Sequence, residues 1–212
     1  MDPRLVAWAR AVKARNSWRG DSLPVLWLFT DGRRLPDPRP SVAALPRGLC
    51  GVVLRHDGEP DREALGRDLA RLCRARRLAL VVAGEPRLAA KLHAGVHLRG
   101  GRWPGSVRAG RGLRTSSAHN IPELRRASRA GARLAFLSPA FVTASHLGVA
   151  GLGMLRWSRL AGGAQIPIGA LGGIDGLRAR RLPRLRCRAA GAIGALARGA
   201  PTASCDHRAS TR

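Results

Sequence analysis

Eight short strand-like runs recur along the chain, most of them continuously apolar and the fifth weaker on propensity, and helix-like segments separate most of them. The runs are Val25-Leu-Trp-Leu-Phe29, Gly51-Val-Val-Leu-Arg55, Leu78-Ala-Leu-Val-Val82, Gly95-Val-His-Leu98, Leu113–Ser117, Leu134-Ala-Phe-Leu137, Ile166-Pro-Ile-Gly-Ala-Leu171 and Gly191-Ala-Ile-Gly-Ala195. Continuous rather than alternating apolarity means that both faces of each strand are covered, the signature of a parallel sheet flanked by helices. Between them, residues 61–77 place Leu65, Leu69, Leu72 and Cys73 on one helical face. Pro86–His93 reads as a short helix, and Ile121–Ala130 carries Pro122 and Glu123 in its first turn, as helix starts favour. Residues 176–187 read as a last helix, interrupted by Pro183. Eight βα units predict an α/β chain folded as a single (β/α)8 TIM barrel. An open doubly wound sheet competes on pattern alone, but no glycine-rich nucleotide loop follows the first strand.

The organisation predicted is an extra N-terminal helix over residues 1–22, a barrel over 23–200 and a polar, disordered tail over 201–212. A chain of 212 residues with 45% hydrophobic content suits one such domain. Its formal net charge of +25 would attract phosphorylated ligands or nucleic acid. However, all but Lys13 and Lys91 of its 38 basic residues are arginine, a bias that, beside abundant Ala, Gly and Pro, marks a GC-rich base composition. These arginines are scattered, and no aromatic residues interleave with them as a single-strand-binding surface requires, which argues against a nucleic-acid partner. Cys50, Cys73, Cys187 and Cys205 lack any Cys-x-x-Cys spacing, so neither a zinc site nor a disulfide framework is expected. No apolar run is long enough to span a membrane and none has the form of a signal peptide, so a cytoplasmic protein is expected.

In this fold the chemistry sits at the C-terminal ends of the strands. After the seventh strand, Gly172-Gly173 would let a phosphate approach backbone N–H groups beside a helix N-terminus, or would simply serve a tight turn. After the sixth come Thr143, Ser145 and His146, whose hydroxyl and imidazole donors suit anionic oxygens but also suit an ordinary loop. After the fifth, Ser117 and His119 face either the barrel mouth, with His119 as general acid or base, or merely a helix cap. Arg55 closes the second strand, where a guanidinium can clamp phosphate or lie on the surface.

The ordered set Trp27-Leu-Phe-Thr-Asp31, Val52-Val-Leu-Arg55, Gly95-Val-His-Leu98, Ser117-Ala-His119, Ser138-Pro-x-Phe-x-Thr143 and Ala170-Leu-Gly-Gly-Ile174 resembles the thiamine phosphate synthase/TenI family over roughly residues 24–198. The resemblance implies thiamine biosynthesis: hydroxymethylpyrimidine diphosphate joined to thiazole phosphate, with magnesium, releasing pyrophosphate. It equally admits a TenI-like thiazole tautomerase, or a barrel that binds thiazole phosphate without turnover. By position it assigns Gly172 and Gly173 to the thiazole phosphate, Arg55, Thr143 and Ser145 to the pyrophosphate side, and His119 to proton transfer.

The departures from the family pattern fall on charged positions. Where the family's second strand reads Gln-Leu-Arg-Glu-Lys, this chain has Val53 for the Gln and Asp57 for the Lys. Ala83-Gly84 stands for an Asn-Asp pair, Arg99-Gly-Gly-Arg102 for a segment bearing a metal-binding Asp, and His146 for a lysine. The family's magnesium carboxylates are therefore absent, so no metal ligand is assigned. Either coupling is lost, or arginines such as Arg99 and Arg102 make the rim strongly positive and take over the metal's electrostatic role.

Overall fold

The computed structural model describes residues 1–17, 22–104, 112–143, 150–183 and 186–197. Eight parallel strands close into a barrel in sequence order: β1 (Leu26–Phe29), β2 (Cys50–Leu54), β3 (Ala79–Ala83), β4 (Gly95–Arg99), β5 (Arg114–Ala118), β6 (Leu134–Leu137), β7 (Ile168–Leu171) and β8 (Cys187–Ala192). The chain is thus a (β/α)8 TIM barrel. The helices are α1 (Pro3–Ser17), α2 (Arg39–Ala44), α3 (Arg62–Arg76), α4 (Pro86–Lys91), α5 (Ile121–Arg129), α6 (Gly153–Gly162) and α7 (Gly176–Ala179). The expected tail over 201–212 lies outside the described residues.

Inside the barrel, Trp27, Phe29, Val53, Val81, Leu134, Phe136 and Ala189 form one cluster, separate from the larger aliphatic layer between sheet and helices. The three aromatic rings meet edge to face, Trp27 with Phe136 at 5.8 Å and Phe29 with Phe136 at 5.0 Å. Space for them comes from glycines on neighbouring strands. A Cβ on Gly51 would stand 2.6 Å from the Trp27 ring, one on Gly191 2.6 Å from Phe29, and one on Gly169 3.0 Å from Phe136. Large rings fill the space that the missing side chains leave.

That pairing explains where the strand pattern misleads. The eighth strand begins at Cys187 rather than Gly191, and Ile193 and Gly194 instead lead into a 3-10 turn at Gly194–Leu196. Its residues Ala189-Ala-Gly-Ala192 are too small to read as a buried strand, and at the barrel-facing Ala189 and Gly191 aromatic rings from β1 occupy the volume larger side chains would fill. Likewise the helix expected over 176–187 is a single turn, α7. The outer ring beside it is completed by α1. Asn16 donates to the Arg188 carbonyl at 2.9 Å and accepts from the Arg188 guanidinium at 2.9 Å, while Asp2 accepts from Gly176 N–H at 2.6 Å. The helix α6 is absent from the strand-and-helix pattern; its Trp157 is buried and donates to the Leu137 carbonyl at 3.2 Å.

Candidate functional site

A buried polar pair links β4 and β5 inside the barrel. His97 on β4 is buried, its ring edge-on to Phe29 at 5.5 Å, and its Nδ1 lies 2.8 Å from the Thr115 hydroxyl on β5. Burial pushes its pKa down to about 3, and the charges of Arg55 and Arg99 above it act in the same direction. His97 is therefore a neutral imidazole at physiological pH.

On the β6–β7 side, Gly172 and Gly173 both adopt left-handed backbone, with φ of 93° and 63°. Main chain from the loop after β6 lies directly against them: Ala140 N–H donates to the Leu171 carbonyl at 2.8 Å and Phe141 N–H to the Gly172 carbonyl at 3.1 Å. A Cβ on Gly172 would be 3.0 Å from Pro139, and one on Gly173 2.4 Å from the Val142 carbonyl oxygen. Backbone sterics alone thus demand glycine at both positions. Among the described residues, neither glycine's N–H has an acceptor. The helix N-terminus expected to assist a phosphate here is already satisfied. Asp175 caps α7 by accepting from Arg178 N–H at 2.7 Å, and Asp2 takes Gly176 N–H.

On β5, Thr115 and Ser117 lie on the inward face. His119 follows at the edge of the mouth, with 56% of its side chain exposed. Its Nδ1 lies 3.0 Å from Glu123 Oε2, which also accepts from the His119 N–H at 2.9 Å, while Asn120 caps α5 by accepting from Glu123 N–H at 2.9 Å. Because a carboxylate only accepts, this contact puts the proton on Nδ1 and leaves Nε2 as the open acceptor of the neutral ring. Partial burial raises the Glu123 pKa, but the hydrogen bonds from His119 outweigh it, so the group stays below the usual carboxylate range. The cap and the dyad are therefore one structure, not alternatives.

The β2–β4 side is built from charged side chains. Arg55 reaches Asp31 at 3.3 Å and lies over the Phe29 ring at 6.0 Å. Asp31 also pairs with Arg34 at 3.3 Å; burial raises its pKa, and the hydrogen bonds and charges of Arg34 and Arg55 bring it below normal. Asp57 bridges two arginines, Arg62 at 3.2 Å and Arg99 at 2.5 Å, and Arg62 continues to Glu85 and to the Ala83 carbonyl. The rim is consequently not a bare positive surface: Arg34, Arg55, Arg62 and Arg99 are each matched to Asp31, Asp57 or Glu85. Arg62 was not evident from sequence. Its mark was its place in the first turn of α3, at the mouth end of the helix.

A magnesium ion does not fit these residues. Both oxygens of Asp57 are taken by guanidinium groups, and Arg62 sits between Asp57 and Glu85 where a bridging cation would stand. Among the described residues no three His, Cys, Asp or Glu side chains converge into an all-protein metal cage.

The structure thus gathers Arg55, Ser117, His119, Thr143, Gly172 and Gly173 at one end of the barrel, with Arg55 across the closed sheet from the β6 loop bearing Thr143. Ser145 and His146 lie outside the described residues. No helix among the described residues is long and apolar enough to cross a membrane.

The family model of thiamine monophosphate synthase matches residues 38–196. A thiamine-phosphate synthase of Geobacillus kaustophilus (strain HTA426) is 34% identical over 177 residues, covering 75% of this chain and 79% of that protein. The thiamine phosphate pyrophosphorylase structure from Pyrococcus furiosus superposes with a TM-score of 0.69 at 22% identity, over 83% of this chain and 89% of that one. The corresponding structure from Bacteroides thetaiotaomicron gives 0.56 at 19% identity, over 82% and 84%. At these identities the two superpositions speak for the shared barrel.

Proposed function

Because the chain belongs to the thiamine monophosphate synthase/TenI family and so to thiamine biosynthesis, we propose that it couples hydroxymethylpyrimidine diphosphate to thiazole phosphate with release of pyrophosphate. The family's substrates are phosphorylated small molecules. The observation that carries the reading is the division of the mouth into two anion-facing halves, one of main chain at Gly172–Gly173 and one of guanidinium groups around Arg55. In this reading the N–H groups of Gly172 and Gly173 take the thiazole phosphate, the surface left open because glycine is the only residue the adjoining loop permits. Arg55, held by Asp31, stabilises the charge that grows on the leaving diphosphate, and the family resemblance adds Thr143, Ser145 and His146 to the groups that would bind it. Ser117 and His119 border the reacting groups from β5. The same reading places the protein in the cytoplasm, in keeping with Cys50, Cys73 and Cys187 as buried free thiols whose pKa values burial pushes to about 12.

One observation favours a second reading. The Glu123 carboxylate fixes His119 in the tautomer whose open Nε2 can take up and return a proton, as a TenI-like thiazole tautomerase needs. A pyrophosphate-release assay with both precursors, with and without magnesium and beside a His119→Ala variant, separates the two. Release that survives His119→Ala establishes coupling. No release, with thiazole carboxylate phosphate isomerised only when His119 is present, establishes the tautomerase.

A further inference from the structure

Asp57, Arg62, Arg99 and Gly84 form a linked set. Gly84 has left-handed backbone with φ of 70°, and the Arg99 guanidinium lies 3.3 Å from where its Cβ would stand. A side chain at position 84 would press on the Arg99 guanidinium and require it to shift by a few tenths of an ångström. The carboxylate of Asp57 occupies the gap between Arg62 and Arg99, its two oxygens divided between them. Arg62 is mostly withdrawn from water, with 13% of its side chain exposed, and its Nε is buried with no hydrogen-bond partner. A buried guanidinium N–H left unpaired is costly, so this arginine keeps unused donor capacity.

We infer that the gap between β2 and β4 binds a diphosphate directly on Arg55, Arg62 and Arg99, without a divalent cation, and that the Asp57 carboxylate is the built-in anion that the ligand displaces. The inference rests on the synthase reading only for the identity of the ligand. Guanidinium groups present pairs of N–H donors matched to phosphate oxygens, and a diphosphate carries several negative charges where Asp57 carries one. Asp57 is 44% exposed, so its carboxylate can swing into water at little cost when the ligand arrives. The positive charge that a metal would bring is carried by the protein itself.

The test is calorimetric titration of the full chain with inorganic pyrophosphate in excess EDTA, repeated with millimolar magnesium. Binding in EDTA is expected, and magnesium tightens it by no more than about threefold. Asp57→Asn removes the competing anion while keeping the shape of the side chain, and should tighten binding about tenfold. Arg99→Ala, an exposed side chain whose loss does not threaten the fold, should weaken it about tenfold or more. Arg133→Ala lies at the opposite end of the barrel, before β6, and should leave the affinity unchanged. Binding only with magnesium overturns the inference, and so does an Asp57→Asn affinity equal to or below that of the parent. Equal losses in Arg99→Ala and Arg133→Ala overturn it as well, by showing attraction to the overall charge alone. The coupling assay reports separately. Pyrophosphate bound in EDTA with no coupled product sinks the synthase reading and leaves this one standing; coupling that proceeds only with magnesium, alongside no binding in EDTA, does the reverse.

Discussion

At the β6–β7 side of the mouth the surface offered to an anion is main chain, shaped by two glycines that the neighbouring loop leaves no room to replace. At the β2–β4 side it is four arginines and three carboxylates, every one held by a partner of opposite charge. The glycine pair of the first side keeps the family pattern, and the second side departs from it at most charged positions. Main-chain recognition depends on backbone conformation, and few substitutions preserve that. A charged rim has more solutions, because guanidinium, ammonium and metal can each neutralise phosphate. Charge on one side can thus be rebuilt while the geometry of the other stays fixed.

The largest expected effect breaks the main-chain side alone. Gly173→Val puts a branched side chain at φ of 63°, with its Cβ 2.4 Å from the Val142 carbonyl oxygen. Backbone strain of about 1–3 kcal/mol is added to that collision. Thiazole phosphate affinity should fall about 100-fold or more in a titration, while pyrophosphate affinity changes by less than about threefold. Gly172→Ala is the gentler companion, since its Cβ meets Pro139 at 3.0 Å, and it should give a smaller loss in the same direction. Circular dichroism establishes that both variants keep the barrel. Equal loss of both ligands would mean that the two sides are not separable.

The mirror experiment is Arg55→Ala. With its partner Asp31 left in place, pyrophosphate affinity should drop about thirtyfold and thiazole phosphate affinity should hold within about threefold. A loss confined to thiazole phosphate would assign Arg55 to the wrong substrate.

The two sides also differ in how far the sequence revealed them. Seven of the eight strands lie within one or two residues of their expected runs, in most of them because branched aliphatic residues covered on both faces leave no other solution; the polar β5 is the exception. The eighth is displaced by four residues, since Ala189 and Gly191 take their burial from Trp27 and Phe29 on a strand more than 150 residues away. Local propensity carries no trace of such a long-range fit. Likewise Gly172-Gly173 was legible as a dipeptide, whereas the pairing of Asp57 with Arg62 and Arg99 was not. In a chain with 36 arginines any one of them reads as surface, and only the folded barrel shows which carboxylate each one meets.

Beneath the charged side, His97 links the rim to the stability of the barrel. Thr115→Val keeps the shape but leaves Nδ1 of a buried imidazole without its partner, at a cost of about 1–3 kcal/mol in urea unfolding.

The smallest expected effect is a shift in titration. The folded pKa of His97 is about 3, set first by burial and then by Arg55 and Arg99, while the unfolded chain titrates near the ordinary 6.5. Between those values the unfolded state holds a proton that the folded state does not. Unfolding free energy should therefore be flat with respect to this group above about pH 6.5, and fall as the pH drops below it, by about 1.4 kcal/mol per pH unit at most. Removing a neighbouring positive charge makes protonation easier, so Arg99→Ala should move the His97 midpoint upward and narrow that window. An NMR titration of the imidazole reads the midpoint, and urea unfolding at several pH values reads the slope. An unchanged midpoint in Arg99→Ala would place the Arg99 guanidinium too far from the barrel axis to act on His97. The β2–β4 rim would then be a surface ion-pair network rather than the wall of a site.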